Sequence, residues 1–144
     1  MILGIGDLGL FFAGMSAENV ALLDRIYERW AHGDFGVELS SHADITFALD
    51  PAFPDSGEHI GPEGVAAYMR NFLEPWDELT MNAEEMIDGG DKVLVRLLQS
   101  GTGESSGIAV ELRYFHLWIF EDSRLVRMEA IKEESDAMAR LGGG

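Results

Sequence analysis

The 144-residue chain is 47% hydrophobic, 10% aromatic and 25% charged, the size and mixture of one folded domain. It has no cysteine, which excludes disulfides, thiol chemistry and cysteine metal sites; its 26 acidic against 10 basic residues leave a net charge of -16, which repels phosphate backbones and anionic lipid. Eight Phe, three Trp and three Tyr separate it from disordered acidic chains, which are poor in aromatics.

The first fourteen residues, MILGIGDLGLFFAG, hold one charge, Asp7, and fall short of the ~20 apolar residues that cross a bilayer core. They lack the basic segment and small-residue cleavage site of a signal peptide. An apolar arm (1–14), a domain (15–142) and a short tail (143–144) in a cytoplasmic protein are therefore expected. Ser16 suits an N-cap, and Val20, Leu23, Ile26, Tyr27, Trp30 and Ala31 recur at spacings of three and four, which predicts a helix that Gly33 stops. A helical turn is expected near 35–41. Ile45 to Leu49 reads as a strand, closed by Asp50-Pro51 and a loop containing Pro54, Asp55 and Gly57. Gly61-Pro62 opens a second helix, with Val65, Ala66, Met69, Phe72 and Leu73 as its buried stripe. From Asp77 onward, turn clusters at 88–91, 101–107 and 122–123 separate segments of strand length, a meander of four antiparallel strands. A short helix with Ala137, Met138 and Leu141 follows, stopped by the terminal glycines. Helices first and a curved antiparallel sheet after make an α+β domain, with a blind pocket at the open end of the sheet.

Side chains alternate along a strand, so Ile108 to Phe120 divides into two faces. Ile108, Val110, Leu112, Tyr114, His116, Trp118 and Phe120 belong inside. His116 stands out there, because a buried imidazole needs a hydrogen-bond partner and has its pKa lowered by desolvation. The opposite face leaves Phe115, Leu117 and Ile119 on the outer side of the sheet, which predicts a homodimer packed through that face, rimmed by Glu111, Arg113, Arg127 and Glu129. At the 122–123 hairpin, a two-residue turn puts Glu129 opposite His116, whereas a three-residue loop puts Met128 and Ala130 on its face. The second is preferred, since it keeps Val126, Met128 and Ala130 inside and Arg127 and Glu129 outside.

The order of these features is familiar. A helix ends in Gly33-Asp34, a strand ends in Asp50-Pro51, and Gly61-Pro62-Glu63-Gly64-Val65 opens a helix. The sheet closes with Arg124-Leu125-Val126-Arg127-Met128-Glu129-Ala130 before an Ala137-Met138 helix. From about Met15 to Gly142 the chain resembles the SnoaL-like members of the nuclear transport factor 2 superfamily, which includes ketosteroid isomerases, polyketide cyclases and limonene epoxide hydrolases. The resemblance implies a cone-shaped fold enclosing a pocket lined by Trp30, Phe47, Met69, Phe72, Leu112, Tyr114, His116, Met128 and Ala130. It places Asp50 where ketosteroid isomerases hold their proton-shuttling aspartate, and His116 where they hold an acid in the oxyanion hole. The helix-one tyrosine of those enzymes is replaced by Ile26, with Tyr114 as a substitute phenol. For the epoxide hydrolases Arg96 stands in place, but Leu98 and Ala130 occupy the two acid positions, which sets that chemistry aside.

Two functions follow as expectations. One is proton transfer on a small hydrophobic carbonyl compound, as an isomerase or cyclase, with Asp50 as base and His116 or Tyr114 stabilising the oxyanion. The other is a non-catalytic ligand-binding or interaction module. Capping a turn is the commoner role of an Asp before a proline after a strand, and His116 equally suits a satisfied core histidine. His32 and His42 read as solvated residues near helix ends, while His59 lies in a loop near the pocket mouth. No His, Glu or Asp cluster has metal-ligand spacing, and no cofactor is implied. Leu3 to Leu8 also resembles the short Gly/Leu/Ile peptides that dock cargo into encapsulin shells, the alternative being an arm that packs on a neighbour.

Overall fold

A computed structural model describes residues 3–35, 45–54, 56–122 and 124–142, with side chains from residue 17 onward. Helix α1 (Leu3–Ala31) precedes strands β1 (Thr46–Leu49) and β2 (Gly57–Ile60) and helix α2 (Gly61–Leu73). Strands β3 (Trp76–Asp88), β4 (Lys92–Gly103), β5 (Ala109–Glu121) and β6 (Arg124–Ile131) follow, then helix α3 (Glu134–Gly142). Residues 36–41 of the expected helical turn, His42 and the side chains of the docking-like peptide lie outside the described residues.

Helix α1 begins at Leu3, so Ser16 sits within it instead of capping it, and the arm's backbone is part of the helix. Extending a helix costs far less than nucleating one, and no proline lies between Leu3 and Ser16 to interrupt it. Its C-terminus stops at Gly33, whose φ of 81° is the left-handed conformation that glycine tolerates best. The Gly33 N–H then donates to Trp30 O (3.1 Å) and the Asp34 N–H to Arg29 O (2.9 Å), satisfying carbonyls of the last turn. Leu23, Ile26, Tyr27 and Trp30 are buried along one stripe, in a core shared with Val93, Val95 and Leu97 of β4 and Trp118 of β5.

The helices accompany one curved, unclosed six-stranded sheet in the order β2-β1-β6-β5-β4-β3. Pairing is antiparallel except between β1 and β6. Strand β2 falls in a segment expected to be loop. Its four residues carry almost no apolar alternation and are held by pairing with β1 along its free edge. In α2, Val65 and Tyr68 are the buried residues, so the stripe turns slightly from the predicted one to bring a tyrosine inward.

On β5 the expected inner face holds from Tyr114 to Phe120, but Ile108 and Val110 are exposed, because the start of the hairpin projects beyond the core. The β5–β6 register is the preferred one, with His116 opposite Ala130 and Trp118 opposite Met128. A three-residue loop is not its cause. Glu121 already pairs with Arg124, and an irregularity between Ile119 and Phe120 shifts the ladder by one residue. Leu125, paired with Phe120, is therefore the buried residue, and Val126 is only half-buried.

The outer face departs most from expectation. Phe115 and Leu117 are buried beneath α3 in a cluster with Leu94, Ile131 and Ala137, and Ile119 packs at its margin. Their apolarity is thus satisfied within one chain, which removes the premise on which a homodimer through this face was expected. Of the apolar residues of α3, Ala137 occupies the centre of the contact and Met138 is exposed. Arg127 and Glu129 are no open rim either. Buried Glu129 accepts from Arg127 Nε (2.8 Å) and Arg140 Nε (2.6 Å), and Arg127 also reaches Glu58 (2.9 Å), tying β6 to α3 and β2. Burial alone would push the Glu129 carboxyl up, but the hydrogen bonds and charges of Arg140 and Arg127 outweigh it and hold the group below the usual carboxylate range.

Candidate ligand cavity

The concave face of the sheet, α1 and α2 enclose a cavity of about 300 Å³, at the small end of ligand-binding cavities and suited to a compound of one or two rings. All nine residues expected to line it do so, from Trp30 on α1 through Phe47 on β1 to Met128 and Ala130 on β6. Alternation on the strands and the 3.6-residue period on the helices are consistent with the lining that the resemblance implies, with Met128 and Ala130 depending also on the β5–β6 register. Sequence reasoning missed several wall residues, among them Phe53, Tyr68, Trp76, Met81 and Gln99. For Gln99 a signal existed: it continues the inward series Val93, Val95, Leu97 on β4 and is the polar residue at its end.

No Asp, Glu, Lys or Arg lines the cavity among the described residues. Its polar wall residues are neutral: His116, Gln99, Tyr114, Tyr68 and, exposed on α2, Asn71. His116, 3% exposed, sits among Tyr27, Trp30, Tyr114 and Trp118, with ring centroids 5.4 to 6.1 Å away. Desolvation in this apolar surrounding lowers its pKa to about 3, so the imidazole is neutral near pH 7. Its Nδ1 lies 2.5 Å from the Tyr27 hydroxyl, which also accepts from Trp118 Nε1–H at 2.8 Å. Among the described residues no fully enclosed side-chain polar atom lacks a partner. Nε2 has no described protein partner and is therefore the ring atom left open to the cavity. The Tyr114 hydroxyl donates to Gln99 Oε1 at 2.8 Å, and the ring of Phe53 meets that of Tyr114 edge-on at 5.0 Å. Burial raises the pKa of both tyrosines, that of Tyr27 against the opposing hydrogen bond from Trp118, so both hydroxyls stay protonated.

Asp50 does not join this group. Its Oδ1 accepts from the Ala52 N–H (2.8 Å) and its Oδ2 from the Lys132 N–H (3.0 Å), locking the turn after β1 to the end of β6. It borders a separate space of about 340 Å³ on the α3 side, beside Arg127, Glu129 and Arg140. The base expected at Asp50 is thus a turn cap: an aspartate before a proline bonds the backbone two residues on, and that directs its carboxylate away from His116. Tyr114 is present as expected, but its proton is committed to Gln99. The phenol nearest His116 is instead Tyr27, one residue along α1 from the Ile26 that was aligned with the isomerase tyrosine. Its place in the apolar stripe disguised it. Arg96 lies on the outer face, bonded to Glu134 (3.3 Å), away from the cavity. His59 packs against Tyr68 with ring centroids 4.7 Å apart, behind the wall and not in it. His32 is exposed and bonds the Glu28 carbonyl at 2.8 Å. Among the described residues no helix is long and apolar enough to cross a membrane.

Solved structures share this architecture. An NTF2-like protein of unknown function from Burkholderia pseudomallei superposes with a TM-score of 0.69 at 22% identity, over 86% of this chain and 96% of its own. A protein described as a SnoaL-like polyketide cyclase, from Jannaschia sp. CCS1, gives 0.69 at 16% identity over 89% and 94%. TerC, co-crystallised with polyporic acid, gives 0.69 at 21% over 88% and 99%. At these identities the likeness establishes the fold. None of the curated proteins searched matches the chain. The SnoaL-like domain model matches residues 23–128, which run from the buried face of α1 to β6 and include every polar group of the cavity described above. With most of its length so matched, the chain belongs to the SnoaL-like domain family.

Proposed function

We propose that this chain binds a small, apolar, carbonyl-bearing molecule in the aromatic cavity, with His116 or Gln99 donating to its oxygen. One observation carries the reading: a cavity whose walls are mostly aromatic and aliphatic holds a neutral, buried histidine and a buried amide, placed on either side of Tyr114. Burying polar groups is costly without partners. A ligand oxygen would complete their hydrogen bonding, while its hydrocarbon body would fill the remaining space. Similarity to TerC, which was crystallised with polyporic acid, supports a cavity of this kind holding an organic ligand.

A second reading, isomerisation or cyclisation through an enolate, is favoured by the likeness to the SnoaL-like cyclase and by the hydrogen-bonding groups available for a developing oxyanion. It also needs a base, and the described wall contains no carboxylate. Binding is therefore the function that the geometry supports best.

1-Tetralone, a bicyclic ketone, serves as a probe for both. Trp30 and Trp76 line the cavity and Trp118 touches His116, so tryptophan fluorescence reports occupancy. Saturable binding is expected, weakened about tenfold in His116→Phe by loss of one hydrogen bond. Equal binding of 1-tetralone and its parent hydrocarbon would count against the reading. Exchange of the ketone's α-protons in D2O, followed by NMR, separates the two functions: acceleration over buffer favours the enolising enzyme, and its absence favours binding alone.

A further inference from the structure

Two tyrosine hydroxyls beside the cavity fix the hydrogen-bonding sense of their neighbours. An indole N–H can only donate. Trp118 Nε1 lies 2.8 Å from the Tyr27 oxygen, so that oxygen is an acceptor on one side. The hydroxyl has one proton to give, and its other partner is His116 Nδ1 at 2.5 Å. Were Nδ1 protonated, two N–H groups would converge on one oxygen, and the Tyr27 proton would have no acceptor among the described residues. The tyrosine proton therefore points at a bare Nδ1, and the ring proton sits on Nε2, the nitrogen left open to the cavity. Tyr114 acts in the same sense on Gln99. Its hydroxyl takes one of the two acceptor positions of Oε1 at 2.8 Å, while both N–H groups of the amide NH2 have no described partner, so the free end is predominantly a donor.

We propose that Tyr27 and Tyr114 are positioning residues that turn His116 and Gln99 into donors, so that the cavity selects ligands presenting an acceptor oxygen and His116 does not serve as a base. This deepens the carbonyl reading and rests on it for the ligand's identity, whereas the tautomer is a property of the empty protein. Ketones, quinones and esters fit such a site. A ligand group that can only donate, such as a pyrrole-type N–H, meets donors there and is disfavoured.

The test begins with the ligand-free protein. Long-range 15N–1H NMR of the histidine rings distinguishes the protonated from the bare nitrogen, and the His116 signals are assigned by their loss in His116→Phe. The expected result is the Nε2–H tautomer in excess of roughly tenfold, since the alternative strands a buried hydroxyl proton. An Nδ1–H ring, or an even mixture, overturns the proposal. Tyr27→Phe, nearly isosteric, is expected to yield mixed tautomers and to lower the preference for 1-tetralone over 1,2,3,4-tetrahydronaphthalene by about tenfold, one hydrogen bond's worth. An unchanged tautomer with an unchanged preference overturns it as well. Should Tyr27→Phe fail to fold, the wild-type tautomer and the ketone preference of Tyr114→Phe decide, that variant being expected to lose preference without altering the ring. If the ring is Nε2–H and neither compound binds, the lock stands and the carbonyl reading alone falls.

Discussion

Asp50→Asn separates a structural carboxylate from a chemical one. Both carboxylate oxygens accept backbone N–H groups, from Ala52 at 2.8 Å and Lys132 at 3.0 Å, and so join the end of β1 to the end of β6 across a gap of 82 positions in sequence. Asparagine has one acceptor oxygen. Whichever way the amide turns, one backbone N–H meets an NH2 instead of an oxygen, and the surviving bond loses its charge. A hydrogen bond to a charged acceptor contributes roughly 1.5–3 kcal/mol, and Asp50 is partly open to water, so a loss of about 2 kcal/mol is reasonable. For a domain of this size that corresponds to a fall of roughly 6 °C in Tm.

Urea unfolding followed by circular dichroism measures the loss directly, and 1-tetralone titration measures the cavity. The midpoint is expected to drop while ligand affinity moves by less than about twofold, because the carboxylate and the cavity share no partner. A general base behaves in the opposite way, since its amide isostere leaves stability nearly intact and abolishes proton exchange. If Asp50→Asn unfolds at the wild-type midpoint but loses binding or α-proton exchange, the assignment of Asp50 as a cap is wrong and the carboxylate must reach the ligand in solution.

Three further outcomes follow from the same geometry. His116 has a folded pKa of about 3 against an ordinary 6.5, so as pH falls the unfolded chain takes up the proton first. Stability should decline between those values by up to about 1.4 kcal/mol per pH unit, and His116→Phe should remove that slope from urea midpoints measured across the range. Gly101→Ala would put a methyl group 2.9 Å from both the Trp76 ring and Leu79 Cδ1; an overpacking cost of about 1–3 kcal/mol and a change in 1-tetralone affinity through the displaced cavity wall are expected, and an unaltered Trp76 environment by fluorescence would refute this. Deleting residues 134–144 uncovers Phe115, Leu117 and Ile131, and light scattering should show self-association stronger than that of the full chain; equal masses would mean that α3 is not the cover.

The cavity was legible in the sequence because period 2 on the strands and period 3.6 on the helices determine which side chains converge, without any knowledge of partners. The inward faces of Trp30, Leu112 and Tyr114 follow from that. What stayed hidden depended on contacts across the fold. The bond between Tyr27 and His116 joins residues 89 positions apart, and Tyr27 occupies the same stripe whether its hydroxyl is bonded or not. The β5–β6 register turned on one irregularity, which alternation cannot locate. The apolarity of Phe115 and Leu117 was correctly noticed, yet a face that demands cover does not say which element supplies it; here a nine-residue helix centred on Ala137 suffices. The role of Asp50 stays open in the sequence because Asp-Pro after a strand has the same letters whether the carboxylate caps a turn or faces a ligand. Only the positions of the Ala52 and Lys132 amides distinguish the two.

The surplus of acids bears on the ligand even though none of them lines the cavity. A net charge of -16 raises the energy of an approaching anion, an effect that salt screens beyond roughly 8–10 Å. Inside, an anionic ligand would find no compensating cation among the described wall residues, only neutral groups such as those of His116, Gln99, Tyr114 and Asn71. Removing a full charge from water into such surroundings costs far more than neutral donors return. A neutral carbonyl faces neither penalty: the outer field does not act on its net charge, and its oxygen needs no more than the hydrogen bonds that the cavity can offer. If the cavity binds as proposed, the long-range charge and the short-range chemistry would favour the same class of molecule, uncharged, apolar and ending in an acceptor oxygen. The outer field filters by charge and the donors orient what enters.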